Sequence, residues 1–294
     1  MSSQTPIAFT QKLSNLFLDD DTAKRYKNAE NVTRPFAKSI VDKSGLPQLD
    51  GEAHVLDLGC GTGVVIQAVY DAVPKGKWGQ LKVLGGDVSL SMLEYLGSRG
   101  KEQGWTGLET QVIDGNANID LPKESFTHIF VSFTVFAIPD VLPQLFRLLR
   151  PGGFIAITTW VALGWYPYLQ SSMSQLDSVP YSPTHEEVLN MIYSGRPWGE
   201  QAYLSERLTE AGFEGVQTVG EKVAVRAGTP SAWMQNMEFP LKIMVGVFEN
   251  WDREGWLEEL SRVVMVEAVK AAGGEDGQVP MDCDVLVAWG RKRG

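Results

Sequence analysis

Apolar and polar positions along the first half of the chain fall into repeating blocks. His54-Val55-Leu56-Asp57-Leu58 reads as a short strand running into glycines, and Val64 to Val73 as the helix after it. Lys82-Val83-Leu84-Gly85-Gly86-Asp87 is a second strand ending in an acid, followed by a helix from Ser91 to Gln103. Glu109 to Asp114 and His128 to Phe133 read as a third and a fourth strand. Val141 to Leu149 is a helix closed by Arg150-Pro151-Gly152-Gly153, and Phe154 to Trp160 is a fifth strand. Repeated strand–helix units whose strands are continuously apolar predict a parallel sheet covered on both faces.

The flanking segments read differently. Residues 10–45 are helical in pattern. Leu13, Leu16 and Phe17 cluster on one helix, Asp19-Asp20-Asp21-Thr22 cap a second that carries Tyr26, and a third runs from Arg34 to Lys43. Gly45 and Pro47 break the chain before the first strand. Residues 161–200 show no strong period, with Trp165, Tyr166, Tyr168, Tyr181 and Trp198 spread through them. Gln201 to Ala211 is a helix, Val216 to Arg226 a long strand, Ser231 to Ala272 helical and Val285 to Trp289 a last strand. The stretch between the two late strands is too long for a hairpin turn and reads as an inserted helical cap.

Acidic residues outnumber basic ones 36 to 26, a formal charge of −10. Such a chain repels a phosphate backbone overall, which disfavours a nucleic-acid substrate. No apolar run approaches the length of a bilayer span, and Met1 to Thr10 lacks a signal-peptide apolar core, so the expected location is the cytoplasm with no membrane partner. Two cysteines, Cys60 and Cys283, make no disulfide framework. No metal-ligand spacing appears, so no metal is expected.

The chemistry concentrates in Asp57-Leu58-Gly59-Cys60-Gly61-Thr62-Gly63, where a strand ends, glycines turn the chain and a helix begins. Glycines allow a ligand close to the backbone, and the helix start supplies free N–H groups. Dinucleotide binding calls for Gly-x-Gly-x-x-Gly, but the third glycine here is Gly63 and position 64 is Val. Asp57 also stands where a carboxylate is unwelcome beside phosphates; it suits an ammonium or sulfonium ligand. S-adenosylmethionine carries both and no phosphate.

In these residues the chain resembles the class I S-adenosylmethionine-dependent methyltransferases. Asp57 to Gly63 match the family's glycine motif, Asp87 matches the acid that holds both ribose hydroxyls, and Asp114-Gly115-Asn116-Ala117 follow the third strand, where the family contacts adenine. The fourth strand and the Arg150–Gly153 turn match in order, so the resemblance covers roughly residues 50–160. It implies a Rossmann-like α/β sheet, mostly parallel with an antiparallel last strand, carrying an N-terminal helical lid and a helical cap between the last two strands. The division implied is 1–48 for the lid, 49–160 for the cofactor core and 161–294 for the substrate side, the last forming one structural unit with the core.

A narrower resemblance runs over nearly the whole chain. Ala23 to Glu30, Gln103-Gly104-Trp105, Thr159-Trp160, the cap after Pro230 and Gly277-Gln278-Val279-Pro280 are similar to the fungal gliotoxin-type bis-thiomethyltransferases. The glycine turn and residues 161–200 depart from that pattern. The resemblance implies a small-molecule acceptor from a natural-product pathway, with S-adenosyl-L-homocysteine as the second product.

The cofactor candidates are then Tyr26, Asp57, Gly59, Gly61, Gly63, Asp87, Asn116, Ala117, Ser132 and Phe133. Family lids place a tyrosine on the methionine carboxylate, the role considered for Tyr26; packing on the core is the other reading. Ser132 and Phe133 face either cofactor or core. Trp160, Trp165, Tyr166 and Trp233 are candidates for an acceptor pocket at the sheet's carboxyl edge. Of three histidines, His54 reads as surface, His128 as structural, and His185 is the single candidate base. With no acid–base dyad evident, S- or N-acceptors are favoured over O, since a thiol near 8.5 needs less help to ionise than a phenol near 10. The alternatives are a methyltransferase-like cyclase that holds the cofactor passively, and a non-enzymatic regulator. Monomer and homodimer both fit.

Overall fold

A computed structural model describes residues 30–176, 181–247 and 255–294, with backbone alone for 238, 239 and 242–247. The first two expected N-terminal helices, with Tyr26, lie outside the described residues.

The third N-terminal helix, α1 (Glu30–Asp42), starts a turn earlier than its sequence pattern suggests. Thr33, Phe36, Ala37, Ile40 and Val41 form its buried face, the spacing of an amphipathic helix. Then come β1 (Ala53–Leu58), α2 (Val64–Ala72), β2 (Leu81–Asp87), α3 (Leu90–Gln103), β3 (Leu108–Val112), β4 (Phe126–Ser132), α4 (Leu142–Leu148) and β5 (Leu149–Ala162). Beyond them lie α5 (Tyr166–Met173), α6 (His185–Ile192), α7 (Gln201–Glu210), β6 (Glu214–Arg226), α8 (Pro230–Val247), α9 (Trp256–Ala272) and β7 (Pro280–Arg291).

The seven strands form one sheet in the order β3-β2-β1-β4-β5-β7-β6. Strands β1 to β5 pair in parallel, and β7 is antiparallel to both its neighbours, as expected. The strand order reverses between β1 and β4, and ligands of open α/β sheets bind at such a switch point, beyond the carboxyl ends of the strands. Arg226 pairs with Pro280, so α8 and α9 leave and re-enter the sheet at that same edge. The cap therefore stands on the glycine-turn side of the molecule.

Side chains alternate across the sheet and build two cores. Val55, Val83, Phe130, Phe154 and Val285 face α1, α2, α3 and the cap. Leu56, Leu58, Ile129, Val131 and Ile157 face α4 and α7. Asp57 lies between Leu56 and Leu58, so it points into the first core, where its neighbours of the same parity are apolar. Where no period was readable, the structure has α5 and α6. Among the described residues, no helix is long and apolar enough to cross a membrane.

Candidate cofactor and acceptor site

Three glycines in left-handed conformations carry the chain from β1 into α2: Gly59 at φ 72°, Gly61 at 50° and Gly63 at 89°. The N–H groups of Gly59 and Cys60 both donate to the Gly86 carbonyl, at 2.7 and 3.1 Å, tying the turn to the end of β2. A side chain at Gly59 would strike Thr134, and one at Gly63 would strike Leu96. At Gly61 the space is open. Its N–H donates to Asp87 Oδ2 at 2.9 Å, and Ser89 N–H donates to Oδ1 at 2.9 Å. Asp87 thus links the glycine turn to the start of α3. Burial raises its carboxyl above the ordinary range, and the N–H donors of Ser89, Gly61 and Val88 pull it back down.

Asp57 has no such support. It is 1% exposed, and among the described residues neither carboxylate oxygen has a hydrogen-bond partner. Desolvation first, and the charge of Asp87 second, raise its carboxyl to about 8. Buried carboxylates are normally paired, because an isolated one is costly to desolvate. An orphaned acid at the foot of a glycine turn is instead what a cationic ligand requires. Its chemistry fits the ammonium and sulfonium of S-adenosylmethionine and opposes a pyrophosphate.

At the end of β4, Phe133 adopts φ 55°, a conformation uncommon outside glycine. Its N–H donates to the carbonyl and the Oγ1 of Thr158, both at 3.1 Å, while Ser132 Oγ lies 3.0 Å from the same Oγ1. Phe133 stacks on Trp160, with centroids 4.0 Å apart and planes at 18°. Phe36 of α1 meets both rings edge-on, at 5.8 and 6.4 Å. Strain at a strand's carboxyl end marks a place where the surrounding structure holds a group for a purpose. Here it presents an aromatic wall beside the switch point.

The other candidates have partners of their own. Tyr166 is buried and its hydroxyl donates to the Pro183 carbonyl. Trp233 is 2% exposed and its Nε1 donates to Met281 Sδ at 3.0 Å. Tyr166 and Trp233 are both buried in the cluster against which Trp160 and Trp165 pack. Trp165 is half-buried, 6.4 Å from Tyr166 between centroids. His185 Nε2 accepts the Leu163 N–H at 2.9 Å, and burial lowers its pKa. The lone pair that a base would use is already engaged, so His185 is a backbone cap. Asn116 is exposed and turns its Nδ2 to the Ala137 carbonyl at 3.2 Å. The N–H of Ala117 donates to the Asp114 carbonyl, and its own carbonyl accepts from Gln144. Neither of those backbone groups is turned toward Asp87.

Thr134, Thr158 and Phe36 were missed in the sequence. Phe36 had a signal, since it occupies the apolar stripe of α1, but that stripe does not tell a wall from a core. Among the described residues no cluster of metal-ligating side chains occurs.

Residues 55–153 match the methyltransferase domain model. The chain is 31% identical over 288 residues to the acetylaranotin bis-thiomethyltransferase of Aspergillus terreus, covering 96% of this chain and 98% of that protein. It is 23% identical over 285 residues to the methyltransferase tpcH of Aspergillus fumigatus, covering 95% and 99%. Among solved structures, it shares its fold with phosphoethanolamine N-methyltransferase 2 of Haemonchus contortus in complex with S-adenosyl-L-methionine, at TM-score 0.56 and 16% identity. That alignment takes in 97% of this chain and 60% of the larger one. Sheet order, glycine turn, the two acids and near-full-length likeness agree: the chain belongs to the class I S-adenosylmethionine-dependent methyltransferases.

Proposed function

We propose that the enzyme methylates sulfur on a small, apolar, ring-bearing thiol of a fungal natural-product pathway. The observation that carries this reading is the aromatic wall of Phe133 and Trp160, backed by the buried Phe36, with no free base beside it among the described residues. The Tyr193 hydroxyl donates to the Trp160 carbonyl, and burial pushes that phenol further up. His185 is engaged at Leu163. An acceptor served by such a site has to ionise largely unaided, and a thiol near 8.5 does so at neutral pH where a phenol near 10 does not. The bis-thiomethyltransferase name of the Aspergillus terreus relative supports the same acceptor atom.

When bound, S-adenosylmethionine supplies a methyl group already activated on a sulfonium. Asp57 would take its cationic end and Asp87 its ribose hydroxyls, while Gly59, Gly61 and Gly63 admit it against the backbone. Ser132 and Phe133 would flank it from β4. Trp160 and Trp165 would line the acceptor side. The wall's task is to exclude water, which leaves a thiolate poorly solvated and reactive, and to hold it in line. In this reading residues 1–48 are a lid, 49–160 the cofactor core, and 161–294 the acceptor side of the same unit.

The test is incubation with S-adenosylmethionine and a panel of mono- and dithiols beside matched phenols and amines, read by mass spectrometry. S-methyl products are expected. Transfer to phenols alone refutes the acceptor assignment, and a product isomeric with its substrate indicates cyclisation instead.

A further inference from the structure

The start of α1 carries an ion pair that the helix does not need for anchorage. Glu30 is 4% exposed. Its Oε1 accepts from Arg99 Nη1 at 2.8 Å and its Oε2 from Arg34 Nη2 at 3.0 Å. Burying such a pair costs desolvation that its attraction barely offsets. Yet α1 is already held by Phe36, Ala37, Ile40 and Val41 in the core. A second polar anchor near its far end joins Ser39 and Lys43 to Glu221 on β6.

What the pair adds is a hold on Arg99. The same Nη1 donates to the Thr62 carbonyl at 2.9 Å, and Nη2 donates to Gln67 Oε1. Arg34 Nη1 shares that Gln67 oxygen, at 2.7 Å. From behind, the guanidinium lies 5.6 Å over the Trp105 ring, which stacks on Tyr70 with centroids 5.1 Å apart and planes at 3°. Arg99 is therefore clamped from α1, α2 and the segment after α3, with one donor aimed at the glycine turn.

Thr62, like Cys60, is a residue of that turn flanked by glycines of positive φ. It stands between Gly61 and Gly63, both in conformations only glycine adopts freely, so backbone preference sets its peptide planes weakly. Fixing its carbonyl fixes the Thr62–Gly63 peptide, whose N–H meets the Cys60 carbonyl at 2.9 Å. That peptide is one wall of the turn which admits the ligand.

We propose that Arg99 is a positioning residue for cofactor binding: Glu30 holds its guanidinium where it pins the Thr62 carbonyl, making the first turn of α1 and the glycine turn one unit. The proposal rests on the cofactor site assigned above. Arg99 itself does not contact the ligand.

Calorimetric titration of the full chain with S-adenosylhomocysteine tests it, with unfolding temperatures measured alongside. Arg99→Gln and Glu30→Gln are each expected to weaken binding by about tenfold or more. The double variant should be no weaker than Arg99→Gln, because one unit breaks once. Ser39→Ala, which cuts the other polar anchor of α1, should lower the unfolding temperature and leave affinity unchanged. Arg99→Lys keeps the charge but cannot span Glu30 and Thr62 together, so it should also bind weakly. Wild-type affinity in Arg99→Lys and Glu30→Gln overturns the proposal even if Arg99→Gln fails to fold. So does an affinity loss that merely tracks unfolding temperature and includes Ser39→Ala. Failure of the wild-type chain to bind refutes the cofactor site itself, a result distinct from equal binding by all variants.

Discussion

Replacing Asp57 by Asn should make the ligand-free protein more stable while weakening its hold on the cofactor. The carboxyl is fully buried without a hydrogen bond and titrates near 8, against an ordinary 3.8. At pH 7 the unfolded chain carries it ionised and the folded chain carries it protonated. Folding must therefore take up a proton across the interval from 3.8 to 7. At about 1.36 kcal/mol per pH unit, that costs about 4 kcal/mol. The sign follows from a raised pKa: stability is complete below about pH 4, falls as pH rises, and levels off above about pH 8. The full penalty across that interval is about 6 kcal/mol.

Asn has nearly the same shape and no proton to take up. Denaturant unfolding of ligand-free wild type and Asp57→Asn, at several pH values between about 5 and 9, reads the effect of Asp57 together with its coupling to Asp87 and Cys60, because groups farther away contribute to both proteins alike. The difference in unfolding free energy should grow from about 2 kcal/mol at pH 5 to about 6 kcal/mol at pH 9, with the variant the more stable throughout. A difference that does not change with pH would refute the reasoning, since it would mean that Asp57 is solvated or paired. The same variant should bind S-adenosylhomocysteine at least about tenfold more weakly, as it no longer offers a charge to the ammonium.

Three further outcomes follow from the geometry. Trp160→Ala removes the ring stacked on Phe133 and should raise the acceptor KM by about tenfold or more while leaving S-adenosylhomocysteine affinity within about twofold, as steady-state kinetics and calorimetry would show. Gly63→Ala forces a β-carbon into Leu96 at φ 89°, so it should cost about 1–3 kcal/mol in chemical denaturation and abolish cofactor binding; a variant of wild-type stability would contradict the turn. His185→Gln should leave the shape of the pH–rate profile unchanged, because the imidazole caps the Leu163 N–H; loss of a titrating limb would restore it as a base.

The parallel core of the sheet was readable because buried strands are continuously apolar and separated by helical periods. The ends of elements were less so. Strand β7 begins at Pro280, but Met281-Asp282-Cys283-Asp284 alternates buried and more exposed positions, so a search for an apolar run starts it late, at Val285. Helix α6 had a local signal that was overlooked: Thr184 and Glu187 form a capping box, each side chain meeting the other's backbone N–H. Asp57 and Asp87 were legible because spacing to a glycine turn fixes where an acid must lie. Arg99 was not, since its partner Glu30 is 69 positions away and nothing local sets it apart from a solvated cation. Tyr166 and Trp233 show the difficulty with aromatics, since one near a site has the same sequence signature as one packed beneath it. The φ of Phe133 leaves no trace in sequence at all.

In the proposed reading the two ends of the site impose opposite requirements, and the sheet would meet both along one edge. A cation needs an acid it can neutralise, and in that reading Asp57 stands bare inside the core for it, at a cost to the ligand-free fold. A thiolate acceptor needs neither acid nor base close by, since an acid would repel it and a base would add little to a group that ionises near neutral pH. Asp57 on β1 pairs with Phe130, three residues before Phe133, so charge and wall sit on neighbouring strands. The aromatic rings of Phe133, Trp160 and Phe36 then close off water on the wall side. Charge is thus held on one strand and excluded at the end of the next, and the chain crosses between them at the point where strand order reverses. That placement predicts that the acids on β1 and β2 matter chiefly for cofactor affinity and Trp160 on β5 chiefly for acceptor choice, with Phe133 between them bearing on both. Substitutions in the two groups should therefore be separable in kinetics even though they lie in one sheet.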